Sequence, residues 1–243
     1  MVSSRVVSRV GCLVGLWRYP VKSMAAEPLE DCEVAWNGLV GDRRWAFVRD
    51  GVAQSGFPWL TLRERLDLNR YRPSFVDTAD PDRSTVLVRT PSGASLDVTD
   101  PALARELDPQ GVRVIKQDRG IFDTFPLSLI TTQTIARMSE QVGTPLDVRR
   151  FRPNLLIESS APAPFVEDTW VGAVLRIGGL RLRVDKRDGR CAVITIDPVS
   201  HKRNPDVLRT VVRERNGCLG VYGSTVQPGR VALHDAVDLE TYE

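Results

Sequence analysis

Histidine and cysteine are scarce in this chain, with two of the first and four of the second among 243 residues. His201 and His234 stand far apart without metal-ligand spacing, so a two-histidine metal centre and a Ser-His-Asp triad both lack support, and both residues are expected at a surface or loop edge. Cys12, Cys32, Cys191 and Cys218 form no C-x-x-C pair, which excludes a zinc knuckle or a clustered iron–sulfur ligand set. Cys12 and Cys218 lie in apolar, strand-like sequence and are expected in the core, whereas Cys32 is undecided. No apolar run approaches the ~18 residues of a membrane span. The stretch from Val6 to Leu16 is interrupted by Ser8, Arg9 and Gly11 and so makes no secretory signal; the expectation is a cytoplasmic protein without a membrane partner. No G-x-G-x-x-G opens a helix and no P-loop occurs, which removes dinucleotide and nucleoside-triphosphate folds. Net charge is only +2 and aromatics are 7% of the chain, too little of either for a nucleic-acid stripe.

What is present is mostly strand signal. Val6–Trp17, Arg44–Val48, Thr85–Val88 and Val112–Lys116 are rich in β-branched or aromatic residues and bounded by turn formers. Leu175–Val184 alternates on both sides of Gly178-Gly179, a hairpin that buries Leu180, Leu182 and Val184 and leaves Arg181 and Arg183 in solvent. Helices are fewer. Asn204-Pro205-Asp206 supplies a cap, a proline at the first helical position and an early carboxylate, and Asn216-Gly217 supplies the stop. A second helix is expected from about Thr131 to Val142, with weaker helical turns at Arg63–Leu68 and Ala102–Leu107, and an exposed loop at Asp77–Ser84. The fold class is therefore mainly β with a few helices (α+β).

One cysteine has a chemical setting. In Arg187-Asp188-Gly189-Arg190-Cys191 a glycine permits a tight turn or a close ligand, two arginines favour an ionised sulfur, and a β-branched strand including Thr195 is expected to follow. A thiolate there suits a soft or redox-active metal; a half-buried structural thiol is the plainer alternative. Residues 149–190 hold nine Lys or Arg against five Asp or Glu, a bias that suits a phosphate-bearing small ligand. Three segments offer the grip: Tyr19-Pro20-Val21-Lys22-Ser23, the glycine-flanked turn Gly38–Trp45 with Arg43, and Arg149-Arg150-Phe151-Arg152-Pro153-Asn154. Guanidinium pairs bind phosphate in a planar fork, lysine acts as a point charge, and serine or asparagine fills remaining acceptor sites. Of the arginines in the third segment, Arg149 and Arg150 are expected on the surface and Arg152 is the sharper candidate.

Taken in order, Tyr19–Ser23, Gly38-x-x-Gly41-Asp42-Arg43, Leu60-Thr61-x-Arg63, Arg150–Asn154, and Arg190-Cys191 followed by Asp197-Pro198 resemble the MOSC-domain proteins. The resemblance implies a MOSC-type β-barrel over 119–243 packed with an N-terminal MOSC-associated β-barrel-like domain over 1–118. It implies the molybdenum cofactor (Mo-molybdopterin), with Cys191 as metal ligand and Lys22, Ser23, Arg43, Arg152, Asn154 and Arg190 as cofactor-binding residues. Cys191 and Asp197 are the catalytic candidates, although a structural turn before Pro198 accounts for Asp197 equally well. The implied activity is reduction of N-hydroxylated compounds such as hydroxylamines and amidoximes. No cysteine-rich segment follows Glu243, so electrons are expected from an external electron-transfer protein. Alternatives are a cofactor carrier or sulfur-transfer protein without turnover, and a barrel for another small anion without metal. Met24 stands where many relatives have cysteine, and Val199-Ser200-His201 replaces a common Thr-Gly.

Overall fold

The computed structural model describes residues 5–49, 52 and 56–242. Its centre is a closed ring of seven strands: β1 (Arg5–Arg18), β2 (Leu127–Thr131), β3 (Leu155–Ser159), β4 (Val174–Ile177), β5 (Leu180–Gly189), β6 (Cys218–Gln227) and β7 (Ala236–Tyr242). The order around the ring is β3-β2-β6-β5-β4-β7-β1, and β1 pairs with β3 to close it. Only β2 and β3 run parallel; the other pairings are antiparallel. Closure leaves no ring edge unpaired, and the interior is filled by alternate residues such as Leu13, Leu129, Ile157, Leu175, Leu182, Val184, Val221 and Val237. On β7, between β1 and β4, Asp238 accepts 2.6 Å hydrogen bonds from Arg9 and Arg176. Hydrogen bonding by Arg9 outweighs burial and holds this carboxyl below its ordinary range, so its contribution exists above about pH 4 and fades as pH falls through the depressed value.

Between β1 and β2 the chain forms smaller sheets. Trp45–Arg49 pairs with Val112–Lys116, Arg72–Phe75 with Val86–Arg89 and Ser95–Asp97, and Asp31–Ala35 with Gly38–Leu39 and the late strand Gly229–Ala232. A second core lies here, around Val21, Met24, Phe47, Leu68, Tyr71, Val88 and Leu103. Early and late sequence are thus interleaved: β1 completes the ring built from residues after 126, and Gly229–Ala232 completes a sheet of the first part.

The helices follow their caps. Helix α1 (Pro101–Leu107) starts at Asp100, α2 (Thr132–Val142) at Thr131, and α3 (Pro205–Arg215) at Asn204, whose side chain accepts from the Asp206 amide at 3.0 Å. Asn216 ends α3 in the left-handed conformation. Helices α2 and α3 pack over a third cluster of Ile130, Met138, Phe151, Ile194, Val207 and Val211. The hairpin about Gly178-Gly179 forms as expected, but only Arg183 of its two arginines is solvated: Arg181 reaches the buried Glu240 at 2.7 Å. The thiols also differ from expectation. Cys32 is the buried one, in the ring's core cluster, while Cys12 and Cys218 are half-buried because the next residues, Leu13 and Leu219, take the inward positions; all four are free.

Candidate functional site

Strand β5 ends at Gly189, and the chain continues extended through Cys191 before a single 3-10 turn, Ala192–Thr195. The expected strand after Cys191, with Thr195 in it, is therefore a turn. Ile194 N–H donates to the Cys191 carbonyl at 3.2 Å, and the Thr195 hydroxyl to the Ala192 carbonyl at 2.7 Å. The reason lies in packing. Ile194 is buried with the helical cluster and Ile196 with the N-terminal core, whereas residues two apart in a strand share a face. Anchored in two cores by these isoleucines, the turn fixes Cys191 where both parts of the chain meet.

One arginine reaches the sulfur, and it is neither of the two expected. Arg187 is engaged by Asp168 at 2.9 Å. Arg190 donates to the carbonyls of Leu219 and Phe151, each at 2.7 Å, and lies 2.9 Å from Asp188, so it braces β5, β6 and the 148–151 turn. The guanidinium at Cys191 Sγ is that of Arg63, at 3.5 Å. The Cys191 hydrogen bond leads the causes that raise Arg63 above its ordinary value. Glu64 accepts from the Thr61 amide at 3.0 Å and from its hydroxyl at 2.6 Å, and this tight turn presents Arg63. In the sequence Arg63 was visible only as a motif position; nothing local tied it to a cysteine 128 residues away.

The second wall is built on Tyr19. Its fully buried ring carries Arg43 and Arg152 with guanidinium carbons 4.6 and 4.2 Å from the centroid, and its hydroxyl donates to the Pro153 carbonyl at 3.0 Å. Burial pushes this phenol up to about 12. Asp42, with no exposure, accepts from the Tyr19 amide at 2.7 Å, the Asn154 amide at 3.2 Å and the Arg43 guanidinium. Asn154 also donates to the Trp17 carbonyl and accepts from the Ser128 amide, both at 3.2 Å, so its side chain is fully engaged in holding Asp42. Ser23, Arg43 and Arg152 all take left-handed backbone, with φ of 68°, 50° and 53°. Non-glycine residues in that region cost of order 1–3 kcal/mol each and cluster at functional positions.

Lys22, Ser23, Arg43, Arg152, Asn154, Arg190 and Cys191 line one cavity of about 320 Å³. The six cations on it, which include Arg63 and Arg150, face two carboxylates, Asp123 and Asp188. Asp123 contacts Lys22 and lies 3.8 Å from Arg63. Burial would raise the Asp123 carboxyl, but Lys22 and then Arg63 prevail and hold it low; burial lowers the Lys22 ammonium despite Asp123. Asp197 is not on this cavity. It accepts from the Val199 and Ser200 amides at 3.1 and 2.7 Å and from Arg150 at 2.8 Å, capping its own turn. Arg150, expected on the surface, is buried because Asp197 and Phe151 draw it inward, while Arg149 stays out with Asp147.

The model of the MOSC domain matches residues 116–238, and that of the MOSC N-terminal beta barrel domain matches residues 10–125. The chain belongs to the MOSC family. Among its relatives, the molybdenum cofactor sulfurase of Drosophila grimshawi is 28% identical over 252 residues, covering 86% of this chain and 31% of the relative. The molybdenum cofactor sulfurase of Caenorhabditis elegans is 25% identical over 235 residues, covering 84% and 32%. The MOSC chain thus spans about a third of the length of these relatives. Their names tie the family to the molybdenum cofactor. The YUAD protein from Bacillus subtilis shares the fold at a TM-score of 0.53 and 13% identity, over 99% of this chain and 100% of that one. Among the described residues no helix is long and apolar enough to cross a membrane.

Proposed function

We propose that the chain binds the molybdenum cofactor in the cavity lined by Cys191 and reduces N-hydroxylated compounds, hydroxylamines and amidoximes, with electrons from a separate redox protein. The observation that supports it is the joining, on one cavity, of a single soft donor to buried guanidinium nitrogens left without partners. Arg152 Nη2 and Arg150 Nε and Nη1 are buried and bond to nothing among the described residues. Such atoms cost of order 1–3 kcal/mol each, more when charged, unless a ligand satisfies them. Burial, and after it the neighbouring Arg43, push the Arg152 guanidinium down to about 10 against the pull of Tyr19 and Asp42. Gly189 lines the same cavity, and a Cβ built there meets nothing within 4 Å, so the residue keeps space open rather than serving a left-handed turn.

In this reading Cys191 Sγ ligates the metal, Arg152 and Arg43 hold the phosphate and pterin, and Lys22 and Ser23 complete the polar wall. Asn154 and Arg190 act by fixing Asp42 and the 148–151 turn. Asp197 holds Arg150 and is a positioning residue. When bound, the cofactor supplies the two-electron chemistry of N–O reduction. Gly189→Ala is expected to fold with stability changed by less than about 1 kcal/mol while losing most of its molybdenum; unaltered metal content would contradict the role given to that space.

A second reading is favoured by the names of the relatives and by the third of their length that this chain spans: a cofactor carrier or sulfur-transfer module in which Cys191 holds its cargo without turnover. Benzamidoxime added to molybdenum-replete protein and a chemically reduced viologen separates the two. Amidoxime-dependent oxidation of the viologen is expected; its absence would assign the carrier role.

A further inference from the structure

Behind Arg150 and Arg152 lies a second cavity, of about 440 Å³, which shares these two arginines, Leu62 and Val193 with the first. Its charge is one-sided. Arg72 and Arg89 face each other directly across the antiparallel pair Arg72–Phe75 and Val86–Arg89, both exposed and both lining the cavity. Like charges placed opposite one another destabilise a sheet, and no carboxylate pairs with either among the described residues. Arg149 on the rim is neutralised by Asp147, and the one acidic residue of the lining, Glu27, is held by Arg18 at 2.9 Å. Arg150 is 5% exposed, pairs through one guanidinium nitrogen with Asp197 at 2.8 Å and keeps the other two unbonded; Arg152 keeps one unbonded. The remaining wall sets the apolar Pro28, Pro73, Ile196 and Pro198 beside the polar Asn69 and Ser74.

We propose that this second cavity binds a phosphate-bearing small molecule, its phosphate between Arg72 and Arg89 on one side and Arg150 and Arg152 on the other, its uncharged body against the proline wall. A bound dianion relieves the repulsion between the two sheet arginines, which no carboxylate among the described residues does. The site does not depend on the redox reading above. It serves equally a free phosphorylated metabolite or the phosphorylated extension of a ligand seated in the first cavity.

Inorganic pyrophosphate titrated calorimetrically at physiological salt tests it. Wild-type protein is expected to take two equivalents, one per cavity. Arg72→Gln/Arg89→Gln is expected to lose the second with at least a tenfold fall in its affinity and no fall in melting temperature, since both side chains are exposed and repel one another. Lys22→Met is expected to weaken the first site and spare the second, so failure of one reading is distinguishable from failure of the other. A single equivalent in the wild type, or an unchanged second site in the arginine double variant, overturns the proposal. A titration with cytidine monophosphate separates the sources: binding to wild type alone supports a free phosphorylated molecule. Binding only after the first cavity is filled by cofactor supports the extension.

Discussion

Asp42→Ala is expected to destabilise the protein by about 3–5 kcal/mol, the cost of removing one partner from a buried charged pair. Asp42 has no solvent exposure and serves three donors from three parts of the chain: the backbone of Tyr19, the side chain of Arg43 and the amide of Asn154. Its loss strands a guanidinium that already stands over the Tyr19 ring, and frees the Asn154 side chain that ties β1 to the strand after it. Asp42→Asn keeps an acceptor for the Tyr19 amide and is expected to lose less than the alanine variant. Urea unfolding of the two variants measures both effects; a loss below about 1 kcal/mol for alanine would show that water replaces the carboxylate and that the wall is not built on it.

The second large effect concerns the sulfur. Cys191→Ser is expected to abolish molybdenum retention while leaving the fold intact, because serine oxygen is a hard donor where sulfur is a soft one. Cys191 is half-buried, outside the three apolar clusters, and its neighbours Ile194 and Ile196 hold the turn without it. Stability is therefore expected to move by no more than about 0.5 kcal/mol. A variant that unfolds would instead make the cysteine a packing residue, and one that keeps its metal would move ligation elsewhere.

Local chemistry made much of this molecule legible. The cap at Asn204, the helix ending at Val142, the Gly178-Gly179 hairpin and the strand Val112–Lys116 obey short-range rules and stand where those rules put them. The three basic segments offered as a phosphate grip are brought by the fold to one cavity, where Lys22, Arg43 and Arg152 all lie. What stayed hidden depends on distance. Closure of the ring needs residues 11–16 beside 155–159, and no pattern within either strand records its partner. The turn after Cys191 looked like a strand since five β-branched or small residues favour one, yet two separate cores pull Ile194 and Ile196 apart. Arg63 and Asp123 meet Cys191 and Lys22 only through the fold, and Arg150 looked like a surface charge because its partner Asp197 lies 47 residues on.

Metal analysis of wild-type protein purified from a host that makes the molybdenum cofactor tests the central claim most directly. About one molybdenum per chain is predicted, released together with the pterin when the protein is denatured, since metal and organic part would be held by opposite walls of one cavity. Protein that folds in such a host and carries neither molybdenum nor pterin would contradict the assignment of this cavity.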